Sequence, residues 1–200
     1  MAPAARIARH DGPTMIEIAA YRPEWTIEYR QIEAALRGVL GNTARRIDHI
    51  GSTAVPELCA KDVIDVQITV DELDLSVEAT LAAAGYVRHA GINRDHVPPG
   101  HEGPGEDWTK FFLTERTGER RAHIHVRPAG RPNQRYALLF RDFLRRNGHV
   151  AAAYGELKRR LASSLIDDDS YPDVKDPAVD LIYLAAEQWA AQSHWKPGTA

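Results

Sequence analysis

The segment HIGSTAVPELCAKDVIDVQITV, residues 49–70, carries the pattern that decides the fold. It starts at a Gly-Ser-Thr turn and ends in a run of β-branched residues, Val63–Val70, that acidic residues close. Such a run predicts a buried strand. Because successive strand residues point to opposite faces of a sheet, Asp65 and Gln67 share one face and the aliphatic side chains share the other. The segment therefore predicts a turn that leads into a core strand with one polar face.

The elements on either side of this segment complete an α+β pattern. Apolar residues at three- and four-residue spacing predict helices from residue 23 to a stop at 41–42, and at 73–84, 132–146, 149–163 and 177–193. Strand-type runs bounded by turn residues predict strands at 45–50 and 86–90 and hairpin strands at 108–115 and 120–126. This order predicts an α+β domain with a helical C-terminal third. We expect residues 1–14 to form a disordered tail. We expect residues 15–195 to form a single domain, with the sheet in about 15–130 and the helices in about 131–195.

The composition bounds the class of protein. A chain of 200 residues with 44% hydrophobic and 26% charged residues can bury a sizeable core. A net charge of −3 provides no overall basic field for a nucleic-acid backbone, although it leaves room for a local basic cleft. The chain shows no apolar run of the length that a signal peptide or a membrane span needs. Cys59 is the single cysteine, which excludes an internal disulfide. We therefore expect a cytoplasmic protein with no membrane partner and no nucleic-acid partner.

Alternation in the second hairpin strand adds two histidines to the polar face. His123 and His125 point to one side of that strand, and the aliphatic residues beside them point to the other. If the strands join one sheet, the histidines meet Asp65 and Gln67. This group would suit a metal ion, a phosphate or a proton transfer. The alternative is a half-solvated antiparallel sheet whose outer face is merely polar.

A series of motifs in this chain resembles the GrpB family. The motifs are HIGSTAVP at 49–56, AK at 60–61, IDV at 64–66, HIHV at 123–126, LFRDFLR at 139–145, Tyr154 with LK at 157–158, and Tyr171 with Lys175. On these motifs the chain is identified as a member of that family over about residues 16–190. The resemblance implies a nucleotidyltransferase-like mixed β-sheet with flanking helices and a helical C-terminal part.

The resemblance also implies a site, from which this chain departs. In active members of the superfamily a Gly-Ser turn holds a nucleoside triphosphate, and strand carboxylates hold divalent metals. Gly51-Ser52 matches the turn, and Asp65 matches the first carboxylate. Gln67 stands at the second carboxylate position, and His123 and His125 stand where a third acid is expected. Such a set suits a single transition-metal ion, or no metal with a histidine as base, better than paired Mg²⁺.

Three functions remain open at this point. The first is transfer of a nucleotidyl or phosphoryl group to a small-molecule acceptor, with Mg²⁺, Mn²⁺ or Zn²⁺ as cofactor. The second is a non-catalytic module that binds a nucleotide or a coenzyme, which the missing acid at Gln67 favours. The third is a metal-dependent hydrolase built on histidine and aspartate ligands.

The candidate residues divide into two sets. The candidate catalytic residues, which are also the candidate metal ligands, are Asp65, His123 and His125. The candidate substrate- or phosphate-binding residues are His49, Gly51, Ser52, Thr53, Lys61, Gln67, Lys158 and Lys175. Without the resemblance, the last two lysines would be interpreted as surface residues. A loop at 91–107 is either a lid over the cleft or a disordered surface loop.

Overall fold

A five-stranded mixed sheet lies at the centre of the computed structural model, which describes residues 16–164 and 170–197. Its strands are β1 (Arg46–Ile50), β2 (Ile64–Val70), β3 (Val87–Arg88), β4 (Phe111–Thr114) and β5 (Ala122–Pro128). The helices are α1 (Glu24–Leu40), α2 (Leu75–Ala83), α3 (Pro132–Arg146), α4 (Gly148–Ser164) and α5 (Ser170–Ser193). Short 3-10 turns lie at Gly41–Thr43, Ser52–Ala54 and Gly105–Trp108. The tail expected at 1–14 lies outside the described residues.

The strand order places the polar residues side by side. The order is β1-β2-β5-β4-β3, in which β2 and β5 are parallel and the other pairs are antiparallel. In the parallel pair, Asp65 is the partner of His123 and Gln67 is the partner of His125. Residues that are directly paired across two strands point to the same face. The sequence-based expectation that these four side chains share one face is therefore confirmed.

The opposite face of the sheet packs against α1 and α2. The aliphatic side chains of β2 and β5, such as Ile68 and Ile124, are fully buried there. Trp25 and Leu36 of α1 are also fully buried in this core, and Leu81 joins it from α2. The three- and four-residue spacing of apolar residues in α1 is therefore the stripe that faces the sheet.

The polar face is covered as well, which the sequence did not indicate. Helix α3 lies over it, and the side-chain amide of Gln67 donates a hydrogen bond to the backbone carbonyl of Gln134 at 3.1 Å. Gln67 is fully buried. The three C-terminal helices share a second core that includes Leu58, Leu139 and Tyr154. The half-solvated sheet that stood as an alternative is wrong, because helices pack on both faces.

Most predicted elements are present with shifted ends. The last helix begins at Ser170, seven residues before the predicted start at 177, and Pro177 lies inside it. Proline is typical of the first turn of a helix, so Pro177 suggested that the helix starts there. Tertiary packing instead extends the helix by seven residues before this proline. The expected α+β class is confirmed, because a mixed sheet lies among flanking helices and the C-terminal part is helical. The single-domain boundaries stay a prediction. No helix in the described ranges has both the length and the apolar character needed to cross a membrane.

Candidate functional site

A tight turn at residues 51–54 follows β1 and presses against β2. Gly51 has a φ of 69° and a ψ of −170°, a conformation that residues with a side chain rarely adopt. A Cβ atom at this position would lie 2.3 Å from Oδ2 of Asp65. Glycine is therefore required here both for its backbone conformation and for its lack of a side chain. We call residues 51–54 the 51–54 turn.

His49 and Thr53, which the sequence suggested as substrate contacts, pack inside the fold against this turn. Nε2 of His49 lies 3.0 Å from Oγ1 of Thr53, and the His49 ring stacks on Tyr29 with 4.6 Å between ring centroids. Burial lowers the pKa of His49 to about 4, so its ring is neutral at pH 7. Both side chains are buried. The structure thus places His49 and Thr53 inside the fold, where they support the 51–54 turn.

Asp65 lies between the turn and the two histidines of β5. Its Oδ1 is 3.3 Å from Nδ1 of His123 and 3.9 Å from Nε2 of His125. The carboxylate side chain keeps 29% of its surface exposed, so a ligand can reach it. Burial raises the pKa of Asp65, but the contacts with the two histidines outweigh it and hold this pKa well below its usual range. The structure therefore brings the three predicted catalytic residues together around an ionised carboxylate.

The protonation of His125 is fixed by two cations behind it. Its Nδ1 lies 3.2 Å from Nζ of Lys110 and 3.3 Å from Nη2 of Arg127. Burial and these two positive charges lower the pKa of His125 to about 3. Because Lys110 and Arg127 can only donate, Nδ1 must accept and the ring proton resides on Nε2, which faces Asp65. Nδ1 of this neutral imidazole therefore accepts from the two cations, while Nε2 lies 3.9 Å from Oδ1 of Asp65, beyond hydrogen-bond distance.

A buried charge cluster beneath the histidines was not predicted. Asp95, from the loop at 91–107, accepts hydrogen bonds from Lys110 at 2.6 Å, from Arg127 at 2.8 Å and from Asn133 at 3.1 Å. Burial raises the pKa of Asp95, but the two cations outweigh it and lower this pKa strongly. The cluster also holds the loop in place. In the same loop, Nε2 of His96 lies 2.9 Å from Oδ1 of Asp180 in α5. The loop therefore follows a defined path, unlike the disordered loop considered from the sequence.

Gln67 belongs to this internal framework. Its Oε1 accepts a hydrogen bond from Nη1 of Arg127 at 2.7 Å, while its amide nitrogen donates to α3 as described above. Both polar atoms of the side chain are satisfied, and the residue has no exposed surface. The structure therefore removes Gln67 from the set of side chains that a substrate can contact.

Lys158 of α4 brings a positive charge to the 51–54 turn. Its Nζ donates a hydrogen bond to Oγ of Ser52 at 2.8 Å and another to the backbone carbonyl of Cys59, and it lies 4.7 Å from the centroid of the Tyr154 ring. The residue is only 3% exposed. Burial is the main cause that lowers the pKa of Lys158 to about 7. Among the described residues no carboxylate lies within ion-pair distance of this amine.

Two further lysines lie around the same region. Nζ of Lys175 is 3.9 Å from Oδ1 of Asp176, and the nearby Tyr154 is the main cause of a raised pKa at Lys175, with Asp65 contributing in the same direction. Nζ of Lys61 lies 4.4 Å from the centroid of the Tyr171 ring. Helices α4 and α5 therefore bring two of the three predicted lysines toward the turn and Asp65.

The residues at this site do not fit the divalent metal ion that the family resemblance implies. The described ranges contain no group of three histidine, cysteine, aspartate or glutamate side chains placed to hold a metal. Within the described residues, Asp65 is the carboxylate that lies within ion-pair distance of the two histidines, and the buried amide of Gln67 replaces the second acid. His125 could ligate through Nε2 only if its proton moved to Nδ1, toward two cations. The chemistry available here is therefore anion binding, hydrogen bonding and proton transfer.

Comparison with known proteins gives consistent matches. The family model described as GrpB protein matches residues 15–184. A dephospho-CoA kinase of Mycobacterium leprae is 36% identical over 194 residues, with 87% of this chain and 47% of that protein covered. This chain thus spans about half the length of such relatives. A UPF0157 protein of Deinococcus radiodurans is 39% identical over 144 residues, with 72% of this chain and 68% of that protein covered. The crystal structure of the conserved protein GrpB from Enterococcus faecalis superposes with a TM-score of 0.70 at 28% identity, over 86% of this chain and 99% of that chain.

Proposed function

Because the chain belongs to the GrpB family, we propose that it binds a phosphate-bearing small molecule, a nucleotide or a nucleotide-containing coenzyme, at the 51–54 turn. The hydroxyl of Ser52 and the amines of Lys158 and Lys175 hold the phosphate groups. Because the Asp65 carboxylate repels phosphate groups, it faces an uncharged part of the ligand. There it accepts a hydrogen bond from a hydroxyl group. His123 supports the Asp65 carboxylate from the side.

The observation that carries this proposal is the environment of the Lys158 amine. The amine is buried, yet within the described part of the chain its hydrogen-bond acceptors are neutral oxygens, those of Ser52 and Cys59. Burying a charge without a counterion costs several kcal/mol, which is why the pKa of this group falls. An anionic ligand on the Ser52 side supplies the missing counterion and so raises the pKa of the amine. Phosphate groups are the anions that a lysine beside a glycine-serine turn suits best.

The name of one group of relatives supports the ligand class. The mycobacterial relatives carry the name dephospho-CoA kinase, and this chain matches about half of their length. A coenzyme-A-type ligand contains both an adenine nucleotide and a diphosphate bridge, which fits a site for phosphate groups. We therefore include coenzyme A and dephospho-CoA among the candidate ligands.

Nucleotidyl transfer to a small-molecule acceptor is the second candidate function, and one observation favours it. Asp65 lies directly against Gly51, in the position where the family resemblance implies the first catalytic carboxylate. The buried amide at Gln67 argues against a metal-dependent form of that reaction. The third candidate, a metal-dependent hydrolase, has least support because Nε2 of His125 could bind a metal ion only if its proton moved to Nδ1, which faces two cations.

A thermal-shift panel tests the proposal. The panel contains ATP, UTP, coenzyme A and dephospho-CoA, each with Mg²⁺, Mn²⁺, Zn²⁺ or EDTA. A ligand at about 100 times its Kd stabilises by about 2.7 kcal/mol, which raises the Tm of a chain of this size by about 5–11 °C. We expect a rise of this size for at least one ligand, of similar magnitude in EDTA.

Two lysine variants show whether the stabilisation comes from the proposed site. We expect Lys158→Met to abolish the ligand-induced shift. The matched control is Lys196→Met, which removes an exposed lysine that follows α5 and leaves the shift unchanged. A shift that appears only with a divalent metal ion would support nucleotidyl transfer instead. The absence of a shift for every ligand, or an equal shift in Lys158→Met, would overturn the proposal.

A further inference from the structure

Ser52 and Lys158 form a contact that resembles a nucleophile and its base. Oγ of Ser52 and Nζ of Lys158 are 2.8 Å apart, within the range that proton transfer requires. Ser52 is partly exposed, whereas Lys158 is buried behind it. The hydroxyl can therefore contact a ligand while the amine stays shielded from water.

The surroundings of Lys158 orient its amine toward the hydroxyl. The backbone carbonyl of Cys59 accepts one N–H of the amine, and the Tyr154 ring lies on another side of it. When the amine is neutral, this arrangement keeps an N–H on the carbonyl and turns the lone pair to Ser52. Burial lowers the pKa of Lys158 to about 7, so an appreciable neutral fraction exists at physiological pH.

Other titratable groups around Lys158 act in both directions. Lys175 and Arg159 lower the pKa of the amine, whereas Asp65 and the thiol of Cys59 raise it. Tyr154 lies against the amine, and burial raises the pKa of its phenol. These effects are secondary to burial, which is the largest cause.

We propose that Ser52 is a nucleophile for which Lys158 is the general base, and that Ser52 accepts a phosphoryl-type group from a phosphoric anhydride bound at the 51–54 turn. The identity of this substrate rests on the proposed function, whereas the reactivity of the pair does not. In this step the bond between Ser52 Oγ and phosphorus forms, and the bond between phosphorus and the leaving oxygen breaks. The hydroxyl proton passes to Nζ of Lys158 and then to the leaving oxygen. Neither oxidant nor reductant is needed.

A fluorophosphonate probe tests the reactivity of this pair without any nucleotide. The full chain is incubated with a small alkyl fluorophosphonate, whose phosphorus carries fluoride as leaving group, and adducts are located by intact-mass and peptide mass spectrometry. We expect one adduct, on Ser52, whose rate of formation rises with pH and levels off above a midpoint near the pKa of Lys158. Ser52→Ala gives no adduct. Because general-base catalysis contributes about 100-fold or more, Lys158→Met lowers the labelling rate by at least about that factor.

Two further variants keep the test decisive. Lys158→Arg retains a positive charge but does not act as a base in this pH range, so labelling falls as in Lys158→Met even where nucleotide binding persists. Ser163→Ala removes an exposed hydroxyl of the same helix and leaves labelling unchanged. Circular dichroism and urea unfolding confirm that each variant is folded. Nucleotide stabilisation without labelling overturns the nucleophile alone, and labelling without nucleotide stabilisation overturns the proposed ligand alone. Labelling of a folded Lys158→Arg variant at the wild-type rate also overturns the proposed pair.

Discussion

Replacing Gly51 with alanine tests whether the 51–54 turn and Asp65 are built around each other. The backbone of Gly51, with φ of 69° and ψ of −170°, lies in a region that costs a residue with a side chain about 1–3 kcal/mol. The new Cβ would also lie 2.3 Å from Oδ2 and 2.9 Å from Cγ of Asp65, so the turn or the carboxylate must move. Overpacking of this kind costs about 1–3 kcal/mol. We therefore expect Gly51→Ala to lower the free energy of unfolding by about 2–6 kcal/mol in total.

A second glycine separates the two contributions. Gly118, in the hairpin turn, has a φ of 83°, but a Cβ atom there would meet nothing within 4 Å. Gly118→Ala should therefore show the backbone cost alone. Both variants are measured by urea unfolding, together with Asp65→Ala and the double variant Gly51→Ala/Asp65→Ala. Asp65→Ala removes Oδ2 and Cγ but keeps the Cβ atom, which would lie 2.9 Å from the new Cβ. Because part of the clash is relieved, the double variant should be more stable than additivity predicts. Equal losses at Gly51 and Gly118, with additive behaviour of the double variant, would refute the close approach of turn and carboxylate.

Two further predictions concern the buried groups beneath the site. Asp95→Ala leaves Lys110 and Arg127 without their buried counterion, so it should lower the free energy of unfolding in urea by about 3–5 kcal/mol. The control Asp71→Ala removes an exposed partner of a surface arginine and should cost less than about 1 kcal/mol. Equal losses in the two variants would contradict the buried cluster. The folded-state pKa of His125 is about 3, below its ordinary value of 6.5, so the unfolded chain binds more protons and stability should fall as pH is lowered from 6.5 toward 3. His125→Gln should reduce the slope of this pH dependence, and an unchanged slope would show that the ring is not buried in its neutral form.

The sequence predicts the central part of the site because strand alternation is a local rule. Asp65, Gln67, His123 and His125 are spaced two residues apart within their strands, and the parallel register of β2 and β5 brings the two pairs together. The same alternation continues to Arg127, so this residue could have been found by following the strand two residues further.

The remaining features depend on contacts between distant parts of the chain. Asp95 lies in an irregular loop, and no local pattern indicates that it pairs with cations on β5 and beside β4. The burial of Gln67 depends on α3 crossing the polar face, which alternation cannot reveal. Lys158 is separated from Ser52 by 106 residues, so its role at the turn came from the family resemblance and not from the residues alone. Sequence reasoning thus identified the polar side chains but not which of them are enclosed.

Isothermal titration with dephospho-CoA in EDTA tests most directly whether a buried lysine, without a metal ion, holds the phosphate groups. The diester phosphates of this ligand keep a constant charge near neutral pH, so a change in affinity reports the protein. Because the pKa of Lys158 is about 7, its protonated fraction falls about 25-fold between about pH 6.5 and about pH 8.5. We predict a loss of affinity that approaches this factor in the wild-type protein, and weak, pH-independent binding in Lys158→Met. No binding without a divalent metal, or an affinity that depends neither on pH nor on Lys158, would contradict the account.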